Sequence, residues 1–132
     1  MENEVIESQL NSLLNSYIEC VETQSRQFFD EVWSNEGACR MISGQNMFEG
    51  RESIWEDFVV GKIGASYESI ELVKEDAWFE IIDDAHALIV FRYHTECVMR
   101  ETGEPFGVAG LETQVAVRKP EGWRLQHVHY SK

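Results

Sequence analysis

Apolar residues recur at three- and four-residue steps over the first third of the chain and at every second position after residue 66. Ile6, Leu10, Leu13, Leu14, Tyr17, Ile18 and Val21 make one apolar stripe separated by Glu and Asn, which predicts a long amphipathic helix within the first 33 residues. A second, short helical piece from Gln24 to Trp33 ends in Ser34-Asn35-Glu36-Gly37, which is stop chemistry. Two short strands follow, 38–43 and 46–49, around Gly44-Gln45. Gly50-Arg51-Glu52-Ser53 then opens a third helix through Ile54, Trp55, Phe58 and Val59, ending near Gly61 to Gly64.

The period-two stretch divides into four strands, about 67–82, 85–100, 106–119 and 123–131. The breaks at Asp83-Asp84, Thr102-Gly103-Glu104-Pro105 and Pro120-Glu121-Gly122 are turn signals. Long strands joined by tight turns form an antiparallel meander, and helices followed by strands is the α+β order. The expected architecture is a single domain over 1–132, a cone-shaped curved antiparallel sheet wrapped around three N-terminal helices and enclosing a pocket.

Hairpin arithmetic suggests which side chains share a face. Pairing Arg118 with Trp123 sets Gln114 opposite His127 and Glu112 opposite His129. Pairing Glu101 with Pro105 sets Arg92 beside Gln114 and His94 beside Glu112. Two rows, Arg92–Gln114–His127 and His94–Glu112–His129, would then cross three strands on the face that also carries Trp123 and Leu125. Such polar groups on an inner face line a cavity or satisfy one another, because burying them unpaired costs a few kcal/mol each. The second row has the composition of a two-histidine, one-carboxylate metal site, but no motif supports it, and neither metal nor cofactor is expected. Core packing is the first reading for Trp33, Trp55, Trp78 and Trp123, with Trp55 expected nearest the cavity mouth.

Charge sharpens this picture. The chain of 132 residues carries 24 Asp+Glu and 11 Lys+Arg, a formal net charge of −13, yet residues 1–84 hold −14 and residues 85–132 hold +1 with all four histidines. The acidic excess excludes a nucleic-acid or anionic-membrane partner. The 43% apolar and 11% aromatic content excludes a disordered chain. Cys20, Cys39 and Cys97, odd in number and widely spaced, give neither a disulfide framework nor a metal pair. The acidic start and the absence of a long apolar run lead to the expectation of a soluble cytoplasmic protein without a signal peptide.

The ending Gly122-Trp123-Arg124-Leu125-Gln126-His127-Val128-His129-Tyr130-Ser131, with Glu112-Thr113-x-Val115-x-x-Arg118 before it, resembles the nuclear transport factor 2-like superfamily. The resemblance is to its SnoaL-like branch, which includes the association (hub) domain of calcium/calmodulin-dependent protein kinase II; ketosteroid isomerases are more distant. It implies the cone fold, a deep pocket, and a homodimer or higher oligomer built through the outer sheet face. It also implies small-carboxylate binding by pocket arginines, with Arg92 at one such position and Gln114 replacing another. Ser16-Tyr17-Ile18 looks like the oxyanion-donor position of the isomerases, but Arg40 to Ser43 offers no base and Gln114 stands at the second acid, so their route to steroid isomerisation is missing.

The leading expectation is therefore a pocket for a small organic anion, with Arg92 as charge anchor and His94, Glu112, Gln114, His127, His129 and Trp55 around the ligand. The alternatives are a dehydratase, isomerase or cyclase using His94 or His129 as base with Tyr17, and an oligomerisation scaffold.

Overall fold

The computed structural model describes residues 2–35 and 38–131; Glu36 and Gly37 of the expected helix stop lie outside them. Helix α1 (Glu2–Thr23) buries Ile6, Leu10, Leu13, Leu14, Tyr17, Cys20 and Val21, the stripe that the three- and four-residue spacing predicts. Helix α2 (Arg26–Val32) is capped by Ser25, whose hydroxyl accepts from the Phe28 amide, and it buries Phe29 and Val32. Strands β1 (Arg40–Ser43) and β2 (Asn46–Glu49) form a hairpin.

The third helix differs from expectation in kind. One α-turn, α3 (Arg51–Ser53), runs into an eleven-residue π-helix, Ile54–Gly64. The sequence carries a reason: its buried residues Ile54, Phe58, Val59 and Ile63 recur at steps of four and five, a spacing that lines up in i→i+5 geometry and not in an α-helix. At Gly61 a Cβ would sit 2.6 Å from the backbone oxygen of Glu56, five residues back, so any other residue forces the backbone to shift.

Strands β3 (Tyr67–Ile81), β4 (His86–Met99), β5 (Pro105–Phe106), β6 (Ala109–Lys119) and β7 (Gly122–Tyr130) complete one sheet in the order β2-β1-β7-β6-β4-β3, with β5 paired to β4. Its long strands are antiparallel as expected, but β1 runs parallel to β7, so the sheet is mixed. The helices precede its long strands and pack on its inner face, the cone-type α+β arrangement. Glu22 of α1 accepts from the Leu72 amide at 2.9 Å, and Lys74 donates to Asn11 and Asn15 at 3.0 and 3.1 Å, which seats α1 against β3.

Two details of register decide what faces inward. The β4–β5 turn closes between Met99 and Glu104, not between Glu101 and Pro105, so Ile89 pairs with Gln114 and Arg92 with Leu111. On β7 the pairing starts as expected, Arg118 with Trp123 and Ala116 with Leu125, and then slips by one at Gln126, so Gln114 pairs with Val128 and Glu112 with Tyr130. Each odd-numbered slip exchanges the two faces of a strand. The expected rows Arg92–Gln114–His127 and His94–Glu112–His129 therefore do not form. Trp78 also departs from expectation: it pairs with Val90 and stands 47% exposed on the outer face, whereas Trp33 and Trp123 are buried.

Gly61→Ala is expected to destabilise the chain by about 1–3 kcal/mol through overpacking against the Glu56 carbonyl. Urea unfolding of the variant and the parent checks this.

Candidate functional site

Strand β4 turns Ala87, Ile89, Phe91 and Tyr93 inward, β6 turns Glu112, Gln114 and Ala116 inward, and after the Gln126 slip β7 turns Val128 and Tyr130 inward. Of these, Tyr93, Glu112 and Tyr130 meet Tyr17 and Val21 of α1 and Phe58, Lys62 and Ile63 of the π-helix around a cavity of about 120 Å³. Ile70, Leu72, Phe106 and Val108 make another apolar part of its wall. This is the scale of a single ring, somewhat below the engineered cavity of about 150 Å³ that holds benzene.

The polar part of the wall centres on Glu112, a carboxyl only 3% exposed. Gln114 Nε2 donates to its Oε2 at 2.8 Å, and the Tyr17 hydroxyl hydrogen-bonds it from α1. Burial pushes the Glu112 pKa up from 4.5 to about 7, against the opposing pull of the Gln114 and Tyr17 hydrogen bonds. Burial, and then the charge of Glu112, raise Tyr17 well above the usual phenol range. Gln114 is fully buried, and its Oε1 has no hydrogen-bond partner among the described residues.

Three further tyrosines line the cavity: Tyr67, Tyr93 and Tyr130. Tyr93 donates its proton to the Ser131 carbonyl at 2.8 Å. Tyr130 accepts a short hydrogen bond from Ser43 Oγ, and Ser43 in turn accepts from Lys62 Nζ at 3.0 Å. Tyr130 stacks at its edge against Tyr93, ring centres 6.2 Å apart, and tilts against Phe58 at 6.1 Å.

The residues singled out in the sequence divide between two places. Tyr17 and Glu112 line the cavity, and Gln114 backs Glu112. Arg92 is exposed on the outer sheet face, opposite Leu111 and Asp76. His94 is on that face too, Nδ1 2.6 Å from Glu75 and Nε2 3.0 Å from Glu96, and these carboxylates raise its pKa, Glu96 most. His127, opposite Arg40, and the exposed His129, opposite Ile42, complete the outer set. Burial first, then Arg40 and His129, lower the pKa of His127. Trp55 packs on Phe29 and under Arg26 instead of reaching the cavity. Glu112 is separated from His94, His127 and His129 by the sheet itself, and among the described residues no group of His, Cys, Asp and Glu could hold a metal. No helix among them is long and apolar enough to cross a membrane.

Reading the sequence alone missed Ser43, Lys62, Tyr93 and Tyr130. Tyr93 was accessible, since Ala87, Ile89, Phe91 and Tyr93 form the apolar phase of β4 while Arg92 and His94 lie on the other. Tyr130 was hidden by the slip at Gln126.

With this geometry in place, comparison with known proteins decides the family. The profile of the SnoaL-like domain matches residues 10–132. The chain belongs to the SnoaL-like domain family. Among solved structures, this SnoaL-like chain is similar to a nuclear transport factor 2-like superfamily protein from Salmonella enterica serovar Typhimurium, with 21% identity and a TM-score of 0.93 over 98% of this chain and 92% of that one. It is also similar to hexachlorocyclohexane dehydrochlorinase LinA-type3 from Novosphingobium barchaimii, with 11% identity and a TM-score of 0.84 over 98% and 87%. At such identities the likeness shows the fold. No curated protein matches the sequence.

Glu112 also makes the SnoaL-like chain pH-sensitive. Its folded pKa is raised, so the folded state holds the proton more tightly than the unfolded state does. That contribution is complete below the ordinary 4.5 and is lost as pH rises through about 7, a span worth about 3 kcal/mol. Urea unfolding between pH 5 and pH 8 should show stability falling more steeply in the parent than in Glu112→Gln, and equal slopes would sink the assignment.

Proposed function

We propose that the chain is a proton-transfer enzyme of the isomerase or lyase kind, acting on a small, largely apolar molecule in which Glu112 removes and returns a proton. The observation that carries this reading is a buried carboxyl poised near neutrality in the wall of an otherwise mainly apolar cavity. A base works best when its pKa lies near the working pH, and burial supplies that match here. Tyr17 and Gln114 hold the carboxyl in place, so its orientation is set before a ligand arrives. Family membership is compatible with this chemistry, as the dehydrochlorinase of the same fold illustrates.

The earlier expectation of an anionic ligand rested on Arg92, which faces away from the cavity. The cation in the cavity wall is Lys62. The histidine-based route loses its geometry with the same register, because Glu112 cannot orient His94 or His129 through the sheet.

Cyclohex-3-en-1-one fits a one-ring cavity and tests the reading directly. In D₂O the protein should accelerate exchange of the ring protons beside the carbonyl, followed by NMR, together with migration of the double bond into conjugation, followed by ultraviolet absorbance. The rate should rise with pH through about 7, as Glu112 becomes ionised. Glu112→Gln should lose at least about 100-fold. Exchange that is unchanged in Glu112→Gln would overturn the proposal.

The oligomeric part of the reading finds support in the outer sheet face. Trp78, Leu88, Val90, Leu111, Val115 and Val117 present an apolar surface there, with Trp78 and Leu111 well exposed. A second copy of the chain is the proposed cover. Light scattering should give twice the chain mass for the parent and a shift toward monomer for Val90→Glu, whereas a monomeric parent at micromolar concentration rules the dimer out.

A further inference from the structure

The far end of β6 borders a groove that shares no lining residue with the cavity. Arg118 lies there, on the same phase of the strand as Glu112 and about 20 Å further along it. The groove runs between α1 and the β6–β7 turn and encloses about 600 Å³, within the range of small-molecule sites. Three cations, Arg118, Lys119 and Arg124, line it against one carboxylate, Glu31, a local balance of +2. The chain as a whole is acidic, with 24 Asp+Glu against 11 Lys+Arg, so this groove is set apart by charge. Its two guanidinium groups are held in place while most of their donors stay unused. That of Arg118 lies over the Trp123 ring, 5.1 Å from its centre, and no residue among those described accepts a hydrogen bond from it. Trp123 is buried, and its indole N–H donates to Gln9 of α1 at 3.1 Å, which fixes the ring beneath Arg118. Arg124 gives one N–H to the Trp123 carbonyl at 3.0 Å and keeps four. A Cβ at Gly122, where φ is +128°, would stand 3.2 Å from Arg124 Nη1, so the glycine leaves this guanidinium its room.

We propose that this groove binds a phosphoryl dianion, either inorganic phosphate or the phosphate group of a small ester. Guanidinium groups offer paired N–H donors that match phosphate oxygens, and Ser12 and Ser16 add hydroxyls from the α1 wall. A doubly charged anion cancels the local +2, whereas a single carboxylate leaves half of it uncompensated. Stacking on Trp123 presets Arg118, so less side-chain freedom is lost when the anion arrives. The space beyond a phosphoryl group, beside Gln9 and Pro120, takes the organic part of an ester. Trp123 is only 5% exposed and has no open face for a stacked base, so recognition falls on the phosphate itself.

The Trp123 indole N–H, seated beneath Arg118, reports on the groove by NMR without any turnover, so this site stands or falls apart from the reading of Glu112. Inorganic phosphate and glycerol 2-phosphate are titrated separately into the full chain at pH 8, in a phosphate-free buffer held at constant ionic strength. Sodium acetate is the singly charged control. Both phosphates should move the Trp123 signal to saturation at millimolar concentration, and acetate should leave it nearly still. Tighter binding of the ester identifies an ester as the ligand, and equal binding identifies free phosphate; either outcome supports the site. Arg118→Gln should weaken phosphate binding about tenfold, and Arg124→Gln should weaken it in the same direction. Arg118 is exposed, and thermal melting of both variants confirms that they fold. An equal shift with acetate, no saturable shift with either phosphate, or parent-like affinity in folded Arg118→Gln overturns the inference.

Discussion

A carboxyl group that must live without water sets the terms for the rest of this structure. Glu112 is held by Gln114 from its own strand and by Tyr17 from α1, and it stands across from Tyr130 on β7. As a carboxylate it can only accept, so it consumes the Gln114 amide protons while the Gln114 oxygen stays buried without a donor. An orphaned buried acceptor costs about 1–3 kcal/mol. A proton on Glu112 removes the buried charge and adds a donor to a cluster that is one donor short. Burial raises the carboxyl pKa and the Gln114 oxygen lacks a donor, a need that a ligand carrying an exchangeable proton also relieves.

The local elements could be read from the sequence because each rests on a short-range pattern. The stripe of α1 and the alternation of the long strands both act within a few residues. The composition of the cavity depends instead on parity, and parity is settled by single residues at a turn and at a bulge. The Met99–Glu104 closure and the extra residue Gln126 each invert a strand, and neither leaves a composition signal strong enough to outweigh the simpler count. Tyr17 and Glu112 were found because their own elements carry no such slip relative to the core. His127 and His129 were placed wrongly by one residue, and His94 by three.

Strand β6 shows why polarity alone misleads here. Its apolar residues Leu111, Val115 and Val117 face out and its polar residues Glu112 and Gln114 face in, the reverse of an ordinary half-buried strand. A strand of this kind cannot hold its place by its own inner face. It is held by neighbours that bring Ile89, Phe91 and Tyr93 on one side and Leu125, Val128 and Tyr130 on the other. The apolar outer residues then gain only if something covers them, so the same inversion that builds a polar site inside creates the demand for a partner outside.

The bulge at Gln126 makes the final choice between two chemistries. Continued without a slip, the pairing that begins at Arg118 and Trp123 would turn His127 and His129 inward and send Val128 and Tyr130 out. Glu112 would then face an imidazole, which titrates near neutrality and would pair with it, pulling the carboxyl pKa down and leaving an ion pair in the wall. With the slip in place, Glu112 faces a phenol, which stays neutral, and the carboxyl keeps a pKa near 7. Gln126 is anchored by its own side chain, which donates to the Ala38 carbonyl at 2.9 Å just ahead of β1. One inserted residue, fixed from outside the site, therefore determines that the cavity carries a single neutral-range acid among tyrosines.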